Sequence, residues 1–197
     1  MKAGAFQWWA LLFGLGAFHG VNPAMGWLFA VARGMQEESR PAAWWAMVPL
    51  TLGHFLAIGA AIAVAVIAGD IVPLAVLRWP VGVVLIGLGG YQLVRHRHPR
   101  YRGMRVGTWG LLVWSFLMAS IHGAGLMVIP LFLGPSDLAL AAMATLVHGA
   151  GYALVTAFLA GLFYEKIGVG VLRRAWINVN LVWALALILI GAVTLSV

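Results

Sequence analysis

The sequence predicts an all-α polytopic membrane protein: six transmembrane helices arranged as two inverted three-helix repeats with kinked first helices. Three observations lead there. The 197 residues are 63% hydrophobic and 9% charged, where a soluble domain is about a quarter charged and at most half apolar. The charges divide the chain into six apolar intervals, each at or above the roughly 20 residues a helix needs to cross a bilayer. The two halves then repeat one pattern of histidine, glycine, methionine and proline. This composition excludes a soluble globular fold, a nucleic-acid-binding arm and a disordered chain. Cysteine is absent, which excludes disulfide and thiolate chemistry.

The first interval, residues 3–32, follows Met1-Lys2 in the manner of a secretory signal. It is longer than an apolar signal core of about 7–15 residues, and no small-residue cleavage site follows, so it reads as a membrane helix. Intervals 41–69, 106–136, 138–164 and 175–197 are also free of Asp, Glu, Lys and Arg, and 71–94 contains only Arg78. The chain reads as one membrane domain, 1–197: repeat one at 3–95, a cytoplasmic linker at 96–107 and repeat two at 108–197.

Laying the loops on alternate sides puts Arg33, Arg40, Arg95, Arg97, Arg100, Arg102, Arg105, Lys166, Arg173 and Arg174 together. The other side receives Lys2, Asp70, Arg78 and Asp137. Basic loops face the cytoplasm, which places both termini outside, on the periplasmic side of a bacterial inner membrane. The same rule explains the net charge of +7 without a polyanionic partner; the partner is the lipid bilayer, and the oligomeric state is left open. Trp8, Trp9 and Trp79 fall at the outer interface; Trp44, Trp45, Trp109 and Trp176 fall at the inner one. In the linker, His96 and His98 alternate with arginines that would repel a cation.

The internal repeat rests on specific residues. FHGVNPAMGW (18–27) in the first helix matches IHGAGLMVIP (121–130) in the fourth, each with His-Gly, a later Met and a nearby proline. LGHFLAIGAA (52–61) and LVHGAGYALV (146–155) match in the second and fifth, and the third and sixth open on Arg78-Trp79 and Arg174-Ala175-Trp176. Three helices is an odd number, so the second half enters from the opposite side, an arrangement common in secondary transporters.

No carboxylate lies within any span, which disfavours a pump working through buried Asp or Glu. The deep ionisable residues are His19, His54, His122 and His148, each some 15–20 Å from the nearer helix end at 1.5 Å per residue. That is close to the midplane of a hydrocarbon layer about 30 Å thick. An intramembrane polar residue is costly unless it faces a partner or a cavity, and neutral imidazole is the usual nitrogen ligand of Ni, Co, Cu and Zn. These four are the candidate metal ligands. Met25 and Met127 would add thioether sulfur suited to Cu(I), or simply fill space; Asn22 would add a neutral polar ligand. Pro23 lacks the N–H that the His19 carbonyl would accept, and Pro130 does the same to Leu126. With Gly20 and Gly123 beside them, both first helices are expected to break at mid-membrane, where freed backbone is tolerated only against protein or a wet cavity. Asn178 and Asn180 read as interfacial, and the hydroxyls of Thr51, Thr145 and Thr156 as bonded to helix carbonyls.

His19-Gly20-Val21-Asn22-Pro23-Ala24-Met25 resembles the first-helix motif of the nickel/cobalt exporter permeases, which read His-Gly-x-x-Pro-Gly-His. Gly53-His54 is similar to the histidine early in that family's second helix. The wider lysine-exporter-like superfamily also holds sulfite exporters and the membrane electron carriers of cytochrome-c maturation; the latter have Pro-Cys where Pro23-Ala24 stands. The resemblance implies a six-helix transition-metal permease with His19 and His54 as metal contacts. Met25 stands where the family's second histidine would be, which leaves the metal open, and the family's His-rich loop is reduced to His96 and His98.

The expected function is therefore transition-metal transport, with efflux suggested by the resemblance alone. Two alternatives use the same residues. Paired histidines would ligate b-type haem in a membrane redox protein, or broken-helix N-termini would receive a small anion such as sulfite, though with no membrane arginine to pair it. An enzyme is disfavoured: no serine has a carboxylate-oriented base, and only a His-bound ion activating water would supply catalysis.

Overall fold

In a computed structural model of the chain, residues 3–94, 107–132, 137–167 and 179–196 are described. They are helical apart from short turns, with no strand among the described residues. The linker histidines His96 and His98, and Arg174, Trp176 and Asn178, lie outside them, as does the side chain of Asn180.

Helix α1 (Ala3–Val21) stops just before Pro23, whose ring and missing N–H cannot continue it. One 3-10 turn, Pro23–Met25, follows, capped by Asn22, whose Oδ1 accepts the Ala24 N–H at 3.0 Å. Helix α2 (Trp27–Gln36) then resumes the path. Ser39 caps α3 (Arg40–Ile71) by accepting the Ala42 N–H; its 32 residues measure about 48 Å at 1.5 Å per residue. Helix α4 (Leu74–Val94) completes the first half. In the second half, α5 (Thr108–Ile121) ends at His122, and Gly123 (φ 76°) turns the chain into α6 (Ala124–Val128). That left-handed conformation is open to glycine at no steric cost. A 3-10 turn, Ile129–Phe132, continues α6. Asp137 caps α7 (Leu138–Leu162) by accepting the Leu140 N–H at 2.6 Å, a π-turn follows at Phe163–Ile167, and α8 (Val179–Ser196) closes the fold.

Both halves thus open on a broken helix, but the breaks differ from the sequence expectation in two respects. Gly20 remains inside α1, and the break begins at Asn22. In the second half the 53° bend between Thr108–Ile121 and Ala124–Phe132 falls at Gly123, one of the two expected breakers, while Pro130 sits within the 3-10 turn that follows. The positive φ of Gly123 does the bending, and Pro130, about two turns further on, lies in the 3-10 turn that ends the helix.

Among the described residues three helices, Arg40–Ile71, Ala75–Val94 and Leu138–Lys166, are long and apolar enough to cross a membrane, or four where the bent α5–α6 pair counts as one span. Val64, Ile67, Val83, Leu154 and Phe158 are each more than half exposed on them, an exterior suited to lipid rather than water. Helix α1 lies along α7, α5 along α3, and α4 along α8, while α3 also packs on α7. In the α1–α7 seam a side chain on Gly16 would overlap the His148 carbonyl, and one on Gly151 the Phe13 carbonyl, so the two backbones touch in the small-residue manner of membrane helices.

The two ends of α3 mark the two ends of the bundle. At one, Arg40 pairs with Glu165 at 2.5 Å, and Arg33 pairs with Glu37 at 2.9 Å and reaches the Thr108 hydroxyl. At the other, the Trp8 ring meets Phe132 edge-on at 5.5 Å, below Gly69. One apolar cluster, including Leu12, Ile58, Ile62, Phe132 and Trp183, fills the middle and the second end. A second, including Trp27, Leu50, Leu111 and Ala160, fills the arginine end, where Trp27 stacks on Phe163 at 4.6 Å.

Candidate metal centre

Three helices each bring one imidazole to the same point. His19 stands on the last turn of α1, held there by the break that follows it. His54 lies about 21 Å from one end of α3 and 26 Å from the other, and His148 lies about 15 Å into α7. All three are fully buried. The glycine-lined seam that presses α1 onto α7 carries His19 against His148, with Nδ1 3.0 Å from Nε2. The packing of α3 on α7 brings His54 Nε2 to 3.4 Å from the same His148 Nε2. One nitrogen from each ring lies within 4.8 Å of the other two, the one such group of metal-ligating side chains among the described residues.

Hydrogen bonding alone does not account for this arrangement. An N–H···N contact at 3.0 Å is a sound hydrogen bond, but 3.4 Å exceeds the usual 2.7–3.2 Å for a nitrogen donor (about 3.0 Å typically). His19 Nε2, His54 Nδ1 and His148 Nδ1 have no hydrogen-bond partner. Each unpaired buried polar atom costs about 1–3 kcal/mol. Nitrogens bound to one ion at about 2.0–2.1 Å stand about 3.3 Å apart in tetrahedral geometry, close to the two contacts of 3.0 and 3.4 Å, and the third pair lies within 4.8 Å. The residues present fit a metal ion.

Aromatic groups hold the rings. Tyr152, one turn beyond His148, lies flat on His54 with centroids 3.8 Å apart and planes 8° from parallel. Its hydroxyl donates to the Met25 carbonyl at 2.7 Å, tying α7 to the α1 break. Trp183 of α8 packs on His19 at 4.9 Å and stacks on Phe18.

The break is otherwise closed on itself. The His19 carbonyl, expected to lack a partner, accepts the Asn22 N–H at 3.2 Å in a tighter turn. Trp27 Nε1 donates to the Val21 carbonyl at 3.0 Å and Trp114 Nε1 to the Ala24 carbonyl at 3.3 Å. Asn22 spends its Oδ1 on capping rather than on the histidines. Met25 and Met127 are both buried in the central cluster.

His122, the fourth candidate, is not in the group. Its Nδ1 donates to the Met118 carbonyl at 3.1 Å, its own carbonyl accepts from Trp183 Nε1, and its ring lies 6.5 Å from that indole. The bend at Gly123 makes it the C-terminal cap of α5. Of the hydroxyls expected to bond helix carbonyls, Thr145 does so, to Ala141 at 2.8 Å. Thr156 does not: its buried hydroxyl has no partner. Sequence reasoning passed over Tyr152, although His148, Tyr152 and Thr156 recur every fourth residue and so share one face of α7.

No family model, curated protein or solved structure matches this chain.

Proposed function

We propose that the chain is a membrane permease for a transition-metal ion, with His19, His54 and His148 as its cargo site. The observation that carries this reading is the convergence of three buried imidazole nitrogens, 3.0 and 3.4 Å apart, from three different helices. In this reading there are six crossings in two inverted repeats. The pairings support it: α1 on α7 and α5 on α3 each join a first helix to the opposite half's second, while α3–α7 and α4–α8 join like with like. A two-fold relation between the halves generates that pattern, and three helices per half would put its axis in the membrane plane. Both first helices break, at Asn22 and at Gly123, as transporter helices do around a midplane site.

The end carrying Arg33, Arg40 and Glu165 faces the cytoplasm, and the termini face the periplasm of a bacterial inner membrane. Apolar layers close the triad off from both ends, so this is an occluded state, and rocking of one half on the other would open it to each side in turn. The resemblance of residues 19–25 to nickel/cobalt exporters points to efflux. Haem is less favoured because a macrocycle needs a slot between its axial rings, and here the rings touch one another and Tyr152 covers His54. An anion is less favoured because the segments around His19, His54 and His148 carry no arginine or lysine to balance its charge.

The test is ion flux into proteoliposomes loaded with a chelating dye, supplied in turn with Ni(II), Co(II), Zn(II) and Cu(I). The expected result is flux of at least one ion, abolished in His54→Gln. Flux unchanged in that variant, or none for any ion in folded protein, overturns the reading.

A further inference from the structure

We infer that the cargo is a soft monovalent cation, Cu(I) in chemical class, rather than a divalent ion; this rests on the permease reading above. The first ground is charge. All five carboxylates of the chain, Glu37, Glu38, Asp70, Asp137 and Glu165, lie at helix ends or in connecting turns and are absent from the interior. The three imidazoles are neutral donors, so a loaded site carries the full charge of its ion. The cost of holding charge in a low-dielectric interior grows as its square, so a divalent ion costs about four times as much as a monovalent one.

The second ground is the donor count. Zinc on three histidines takes a fourth ligand, a water or an anionic group, whereas the triad has no carboxylate beside it and is packed among Tyr152, Trp183 and apolar side chains. Asn22 Oδ1 caps Ala24, the Tyr152 hydroxyl donates to Met25, and Ser115 donates to the Leu50 carbonyl at 2.6 Å. The unpartnered Thr156 hydroxyl stands two turns from His148, about 12 Å along α7. Three nitrogens about 2.0 Å from an ion in trigonal arrangement stand about 3.5 Å apart, and a d10 monovalent ion accepts three-coordination. The buried cluster that packs around the triad also holds two thioethers, Met25 and Met127, and thioether sulfur selects Cu(I).

Ag(I), the redox-inert ion of the same class, tests this against Zn(II) and Ni(II). Wild-type protein in lipid nanodiscs and chloride-free buffer is titrated with each nitrate salt. Stoichiometry is read by native mass spectrometry, and affinity by the shift in unfolding midpoint. The expected result is one Ag(I) per chain, bound about 100-fold more tightly than either divalent ion and lost in a His19→Gln, His148→Gln double variant. The wild-type ranking needs no variant, and His54→Gln replaces the double variant if that does not fold. Zn(II) or Ni(II) binding more tightly at the same histidines overturns the monovalent assignment and leaves the permease site standing. Ag(I) binding undiminished in the variant also overturns it, placing the ion on other groups. No histidine-dependent binding of any ion overturns both.

Discussion

Gly20→Ala probes the seam that brings His19 to His148. A Cβ there would stand 2.8 Å from the Tyr152 carbonyl oxygen and 3.0 Å from the Thr156 hydroxyl. Ordinary contact begins near 3.4 Å, so α1 and α7 must part by about 0.6 Å at this level. That takes the 3.0 Å His19–His148 contact to about 3.6 Å, beyond hydrogen-bond range and past the bite of a tetrahedral ion at about 3.3 Å and of a trigonal one at about 3.5 Å. Overpacking costs about 1–3 kcal/mol, and alanine recovers up to about 1 kcal/mol of helix propensity over glycine. The net loss of stability is then about 0–2 kcal/mol, small beside the damage to the site. Gly14→Ala is the control, since nothing lies within 4 Å of that Cβ. Calorimetric ion titration, run beside thermal unfolding, should show affinity at least 10-fold lower for Gly20→Ala and unchanged for Gly14→Ala. Wild-type affinity in Gly20→Ala, or equal damage from Gly14→Ala, would refute the coupling of seam to site.

His148→Gln should lower ion affinity about 100-fold, because His148 Nε2 faces both other rings, whereas His122→Gln should leave it within about three-fold; equal losses in the same titration would make His122 a ligand. Tyr152→Phe keeps a ring over His54 but strips the buried Met25 carbonyl of its donor. It should cost about 1–3 kcal/mol, and an unchanged unfolding midpoint would count against that bond. Asp137→Ala removes the α7 cap and should cost about 1 kcal/mol by denaturant titration, with Asp137→Asn close to wild type; equal losses from both would show that charge, not capping, matters.

Much of this was legible because membrane proteins write their helices as gaps between charges. The charge-free intervals at 41–69 and 138–164 open within a residue of α3 and α7, and Pro23 ends α1 within a residue or two of the expected place. The depth of the histidines was legible for the same reason, since 1.5 Å per residue converts position into height. What depth does not contain is azimuth. His122 sits at the same height as the others, yet the turn at Gly123 points its ring at its own helix, and nothing short of the packed structure decides that rotation. Pro130 misled because a missing N–H predicts a weakened helix without saying where the bend is released; Gly123, free to take a positive φ, released it first. The His19 carbonyl found the Asn22 N–H because a chain leaving a helix can close a tighter turn, an option that counting only the bond four residues on overlooks. Tyr152 and Thr156 were within reach of the sequence, one and two turns beyond His148 on the same face, had polar residues been followed with the same period as apolar ones.

The most direct measurement is X-ray absorption at the edge of the ion bound to wild-type protein in lipid. Three imidazole nitrogens near 2.0 Å, with the outer-ring scattering of histidine and one ring fewer in His148→Gln, are what converging His19, His54 and His148 require. A shell of oxygen or sulfur alone, without imidazole scattering, would contradict them.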